Sequence, residues 1–95
     1  MVKVKFFTLL RLYLEREEID IDIGATEVRV NTLLKMVNDA IGNDIIVDKL
    51  LETNGKMKTG TIILVNGGDV MDADKLDEVV RDGDTISLFP PGGGG

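Results

Sequence analysis

Val30, Leu33, Leu34, Val37 and Ile41 recur at helical spacing, so a helix over this stretch gathers them into one apolar stripe. Gly42 stands at the end, where a left-handed residue closes a helix, and Asn31 or Thr32 is available as N-cap. Such a stripe has to be buried against something. The flanking sequence changes period: Val2, Val4 and Phe6 alternate with Lys3, Lys5 and Phe7, and Ile19, Ile21 and Ile23 alternate with Asp20 and Asp22 before Gly24. Near the other end Ile86 and Leu88 oppose Ser87 and Phe89. Alternation of this kind belongs to strands with one buried face. One main helix between half-buried strands predicts an α+β fold, a mixed sheet of four to five strands with the helix packed on one face.

The remaining segments fit between these elements. "LLRLYLE" reads as a short apolar turn or helix, and "NDIIVDKLLE" as a second, shorter helix with Asp44 and Asp48 early and Lys49 later, closed by the turn "TNGK". Ile62 to Val65 form a continuous apolar run, which suggests a strand covered on both faces, and Asn66-Gly67 then supplies the positive φ of a tight hairpin. "DADKLDEVV" reads as a loop or single helical turn and "RDGD" as a further turn. Pro90 and Pro91 end the last strand, because neither can donate to a ladder. A domain over 1–89 and a pliant Gly-rich tail over 90–95 follow from that stop.

Composition narrows the chemistry. The 95 residues contain no Cys and no His, which removes disulfides, thiolate catalysis, thiolate metal ligation and the usual neutral-pH base together. A cytoplasmic location is the simplest expectation for a chain without cysteine. No apolar run approaches the roughly 18 residues that a membrane span requires. Eleven scattered Lys and Arg against seventeen acids give a net charge of -6, which argues against nucleic acid as a partner. Asp69, Asp72, Asp74 and Asp77 cluster, but counted from Asp72 the sixth and twelfth places of a calcium loop hold Asp77 and Gly83 instead of Gly and Glu. No metal site and no bound cofactor are expected.

The chain closes with "FPPGGGG". Glycine-rich ends are often linkers. Here, however, they complete an ordered series: the "VKVKFF" opening, a helix with "LL" near its start, "ILVNG" followed by an acidic residue and Val, "DGD" before the final strand, then "FPP" and glycine. In that series the sequence resembles the ubiquitin-like β-grasp sulfur carriers, the MoaD/ThiS family, and most closely the small subunits of molybdopterin synthase. Gly92 and Gly93 stand where that family usually has small apolar residues, and "VRVN" at Val28 to Asn31 replaces its usual Thr or Ser cap.

The resemblance implies a protein that is substrate as much as agent. An E1-like enzyme would use ATP to adenylate the carboxylate of Gly95, sulfur would replace one oxygen, and the thiocarboxylate would be delivered to a pterin precursor inside the large subunit of molybdopterin synthase. Catalytic residues for that step would lie in the larger subunit. The residue types suit such a role: Gly94 and Gly95 carry no Cβ to obstruct attack at the acyl carbon or passage through a narrow channel. Pro90 and Pro91 would direct the tail, with Gly92 and Gly93 as pliant spacers.

In a β-grasp sheet the first and last strands run parallel side by side. Phe7 and Phe89, both off the core parity, would then meet on the outer face where the tail departs and form a docking surface for partners. By likeness to the ubiquitin fold, Leu64 joins them. Three other roles remain open at the level of sequence: a ubiquitin-like modifier joined to lysines, a thiamin-pathway sulfur carrier, and a passive interaction module whose tail never reacts.

Overall fold

The computed structural model describes residues 1–67, 69–71 and 75–92, with the main chain alone at 69–71 and 75. Strand β1 (Val2–Phe6) leads into a short helix α1 (Leu9–Leu14) and strand β2 (Glu18–Ile21). A three-residue strand β3 (Glu27–Arg29) precedes the main helix α2 (Val30–Ile41), which is followed by α3 (Ile45–Leu50). Strands β4 (Ile62–Val65) and β5 (Asp69–Met71) form the Asn-Gly hairpin. A single 3-10 turn (Lys75–Asp77), β6 (Val79–Arg81) and β7 (Thr85–Phe89) complete the chain.

Five strands form one mixed sheet in the order β2-β1-β7-β4-β5, with β1 and β7 parallel at its centre and the other pairs antiparallel. The expected α+β architecture is therefore present, with the sheet at the upper end of the expected size. Its inner face carries Val2, Val4, Phe6, Ile63, Ile86 and Leu88, all fully buried. Opposite them α2 presents Val30, Leu33, Leu34 and Val37, also fully buried. Removing a Leu or Ile side chain from water contributes about 1.5–3 kcal/mol, so these two stripes dominate the stability of the domain. Gly42 ends α2 at φ 89°, and its N–H donates to the Asn38 carbonyl, as the spacing predicts.

Asn38 joins two helices. Its main-chain oxygen accepts from Gly42 and Asn43 at the end of α2, while its buried Oδ1 accepts from the N–H groups of Ile46 and Val47 at 3.1 and 3.4 Å. Orphan donors at the start of α3 are thus satisfied by a side chain of the preceding helix.

Four sequence expectations are corrected. First, α2 is capped neither by Asn31 nor by Thr32; it starts at Val30 from Arg29 in extended conformation, and the Val30 N–H donates to the Glu78 carbonyl at 2.8 Å. Second, β3 was not anticipated. Third, "DADKLDEVV" has its single helical turn at Lys75–Asp77, but its last two residues, Val79 and Val80, open the strand β6, whose pairing with β3 forms a separate two-stranded sheet. Three-residue strands are too short to display a period and are fixed by their partners. Fourth, β4 is covered on one face only: Ile63 is fully buried, but Ile62 is 40% exposed. Its unbroken apolar run is therefore not a sign of two-sided burial. Among the described residues no helix is long and apolar enough to cross a membrane.

Candidate functional site

The outer face of the sheet can be read rung by rung. Pairing places Lys3 beside Thr85 and Lys5 beside Ser87, with Leu64 opposite Ser87 and Ile62 opposite Phe89. Residues directly paired across strands share a face, so this surface grades from charged at the β2 side to apolar at the end of β7. At the charged end Lys3 Nζ donates to Glu18 Oε2 at 2.9 Å. That hydrogen bond, reinforced by opposite charge, raises the Lys3 pKa and lowers that of Glu18.

At the apolar end the rings of Phe7 and Phe89 stack, with centroids 4.4 Å apart and planes 10° from parallel. Two features hold Phe7 in place. Its N–H donates to the Leu88 carbonyl at 3.1 Å, extending the β1–β7 ladder by one residue, and the chain then turns sharply at Thr8, whose φ of 52° and ψ of -126° close a turn through Leu10 N–H and the Phe7 carbonyl. That conformation ordinarily belongs to glycine at the first central position of a type II′ turn. A β-branched residue adopts it only where its surroundings impose it. Arg11 adds a second hold: its Nε donates to the Phe6 carbonyl at 3.3 Å, and its guanidinium carbon lies 5.4 Å from the Phe7 ring centroid.

The structure thus brings Phe7 and Phe89 together, with Leu64 one rung away on the same face. Ile62 belongs to this patch and was missed. Its signal was available, because parity from Leu64 places Ile62 on the same side, but the continuous run concealed it.

Beyond Phe89 the chain remains packed for two residues. Pro90 is buried, Pro91 half-buried and Gly92 exposed. Pro91 lies over Gly60, where φ is +93° and a Cβ would meet the Pro91 Cα and Cβ at 3.5 Å. Thr61 anchors that loop from beneath, with its Oγ1 donating to the Leu50 carbonyl at 3.1 Å. Pro90 and Pro91 therefore seat the root of the tail in a defined place. On this side the root runs along a groove formed by Leu9 and Tyr13 of α1, Lys49 of α3, Lys58 and the Pro90 to Gly92 segment. The Lys49 ammonium lies 4.7 Å from the Tyr13 ring centroid. Sequence reasoning did not find this groove, whose walls come from separate parts of the chain. Gly93, Gly94 and Gly95, the expected spacer and reacting end, lie outside the described residues.

Comparison with known proteins gives the arrangement its context. The chain is 34% identical over 76 residues, 80% of its own length and 84% of the other's, to a protein of Archaeoglobus fulgidus assigned as a sulfur carrier. Its fold is similar to that of small archaeal modifier protein 1 of Haloferax volcanii, with a TM-score of 0.76 at 22% identity, covering 99% of this chain and 98% of that one. A Pyrococcus furiosus protein assigned as molybdopterin converting factor subunit 1 is 28% identical, with a TM-score of 0.56 and coverage of 96% and 97%. The ubiquitin-like β-grasp that the resemblance implies is the fold observed. With the ThiS family profile matching residues 4–95, from the first strand through the glycine tail, the chain belongs to the ThiS family.

Proposed function

We propose that this protein carries sulfur as a thiocarboxylate on Gly95 and delivers it for molybdopterin synthesis, as the small subunit of a molybdopterin synthase. The single observation that carries this reading is the seating of the tail root: the central strand β7 ends in a buried Pro90 and a Pro91 packed on Gly60, so the chain leaves the body at one fixed point beside the Phe7–Phe89 stack. A rigid root with a tip free of Cβ atoms is what presentation of a terminal carboxylate to other enzymes requires. Likeness to the Pyrococcus furiosus converting factor subunit supports the choice of acceptor.

The chemistry balances without any group from this chain beyond its own terminus. A Gly95 carboxylate oxygen attacks the α-phosphorus of ATP and pyrophosphate leaves. A sulfide-equivalent nucleophile then attacks the acyl carbon and AMP leaves with the transferred oxygen. The product is a C-terminal thiocarboxylate. The activating enzyme holds the ATP, and the large synthase subunit supplies the side chains for the pterin step.

Intact mass measured after incubation with the cognate E1-like enzyme, ATP and a sulfide source tests this. The expected result is exchange of one C-terminal oxygen for sulfur, followed by molybdopterin formation when the large subunit and precursor are added. A second reading is favoured by likeness to small archaeal modifier protein 1: joining of Gly95 to lysines of other proteins after the same adenylation. Lysine-linked adducts without molybdopterin formation would establish that role instead. An unchanged mass in the presence of an active cognate enzyme would overturn both.

A further inference from the structure

Helix α1 carries two apolar stripes. Leu10 and Leu14 point inward, and Leu10 is fully buried. Leu9, Leu12 and Tyr13 fall three and four residues apart on the other side, where Leu12 is 72% and Tyr13 50% exposed. Apolar side chains on a helix are ordinarily covered, yet here Leu9 is only half-buried and Leu12 and Tyr13 stay largely open within the described residues. It borders the groove along the tail root, whose other wall carries Lys49 and Lys58. Neither lysine meets a carboxylate within ion-pairing distance among the described residues. In a chain with seventeen acids and eleven bases, two cations in one groove without acidic partners among the described residues are a local reversal of charge.

We propose that this groove receives an acidic, partly apolar segment of the activating enzyme, which runs alongside the tail root and forms a second docking contact. The proposal rests on the sulfur-carrier reading. Carboxylates of the segment pair with Lys49 and Lys58, and its apolar side chains cover Leu12 and Tyr13. Charge complementarity selects the occupant. The net charge of -6 repels acidic surfaces in general, so attraction confined to this groove fixes register as well as affinity. Position supplies the purpose: Phe89 belongs to the outer aromatic patch and the adjacent Pro90 to the groove, so a partner holding both surfaces grips the tail root from two sides.

The test measures binding of the full chain to the E1-like enzyme of the same organism, with adenylation of the wild-type tail followed in the same samples. The double variant K49E/K58E should bind about five- to tenfold more weakly at low salt, with the gap closing near about 0.5 M salt as screening removes the attraction. Leu12→Ser should weaken binding by about threefold at either salt concentration, because it removes apolar cover instead of charge. All three side chains are at least partly exposed, so circular-dichroism melts should match wild type. Wild-type affinity in both variants, with the tail still adenylated, would overturn the groove proposal alone. Failure of the wild-type tail to be adenylated would overturn the sulfur-carrier reading and this partner with it.

Discussion

Phe7 and Phe89 lie ring on ring at 4.4 Å although they come from opposite ends of the chain, because the parallel pairing of β1 with β7 carries both to the same rung of the outer face. Stacked aromatics couple by about 0.5–1.5 kcal/mol beyond the area they bury. A double-mutant cycle of Phe7→Ala and Phe89→Ala, followed by chemical denaturation, should return a coupling in that range. Phe89→Ala should also weaken binding to the activating enzyme and to the synthase subunit by tenfold or more, since half-buried, pre-ordered aromatics at the centre of a contact supply a large share of its energy. Unchanged affinity for both partners would remove the docking role while leaving the stack intact.

Gly60 tests the seating of the tail root. At φ +93° a side chain is strained whatever the available space, and the nearest Pro91 atoms at 3.5 Å from a built Cβ are in ordinary contact. Gly60→Ala should therefore destabilise the domain by about 1–2 kcal/mol through its backbone alone. Gly60→Val adds branches that press on Pro91, so it should also slow adenylation in folded protein. Equal adenylation rates for wild type and the valine variant would show that the root need not be held where it is.

Asn38 should matter more than a polar residue on a helix usually does. Asn38→Ala strands the Ile46 and Val47 N–H groups at a site only 7% exposed. The expected cost is about 1–3 kcal/mol in urea denaturation. Amide hydrogen exchange should speed selectively at the start of α3. Asn38→Asp keeps an acceptor oxygen in place, so there the α3 amides should stay better protected than in the alanine variant.

The Lys3–Glu18 pair gives a pH dependence of definite sign. The Glu18 pKa is lowered, first by the hydrogen bond from Lys3 and then by its charge, so its contribution is present above the ordinary carboxylate range and lost as pH falls through the lowered value. Lys3 is raised by the same bond, so its contribution is present below the ordinary lysine range and lost as pH rises through the raised value. Both are complete at neutral pH. In Lys3→Gln, NMR titration should find the Glu18 pKa closer to its ordinary value, with a residual lowering from Lys5. An unmoved Glu18 titration would assign the lowering to some other group. Both side chains are solvent-exposed, so high salt should shrink the effect.

Most of the architecture was legible because its signals are local. Alternation in β1, β2 and β7, the helical stripe of α2 and the Asn-Gly hairpin each express the geometry of a few consecutive residues. Misreadings arose where a distant partner replaces the local signal. Arg29 is not a favoured cap, yet α2 starts there because the Glu78 carbonyl accepts the Val30 N–H. For the same reason β3 and β6 exist as strands only through each other. Ile62 was misplaced because an apolar residue on an outer face looks, in sequence, like one in a core.

The parity of Phe7 and Phe89 was fixed by the pleat itself: successive residues of a strand face opposite ways, so two aromatics out of step with the buried set had to point outward. That Pro90 and Pro91 end the sheet follows equally from the missing N–H of proline. Only the tertiary structure decided which outward residues became neighbours. Register between β1, β7 and β4 set Ile62 and Leu64 beside the aromatic pair, and the packing of α1 on α3 and β7, with the 58–61 loop bonded to the Leu50 carbonyl of α3, placed Tyr13, Lys49 and Lys58 along the tail root. Facing is a property of adjacent peptide units, whereas adjacency across strands and helices is settled by hydrogen bonds and burial between parts of the chain far apart in sequence.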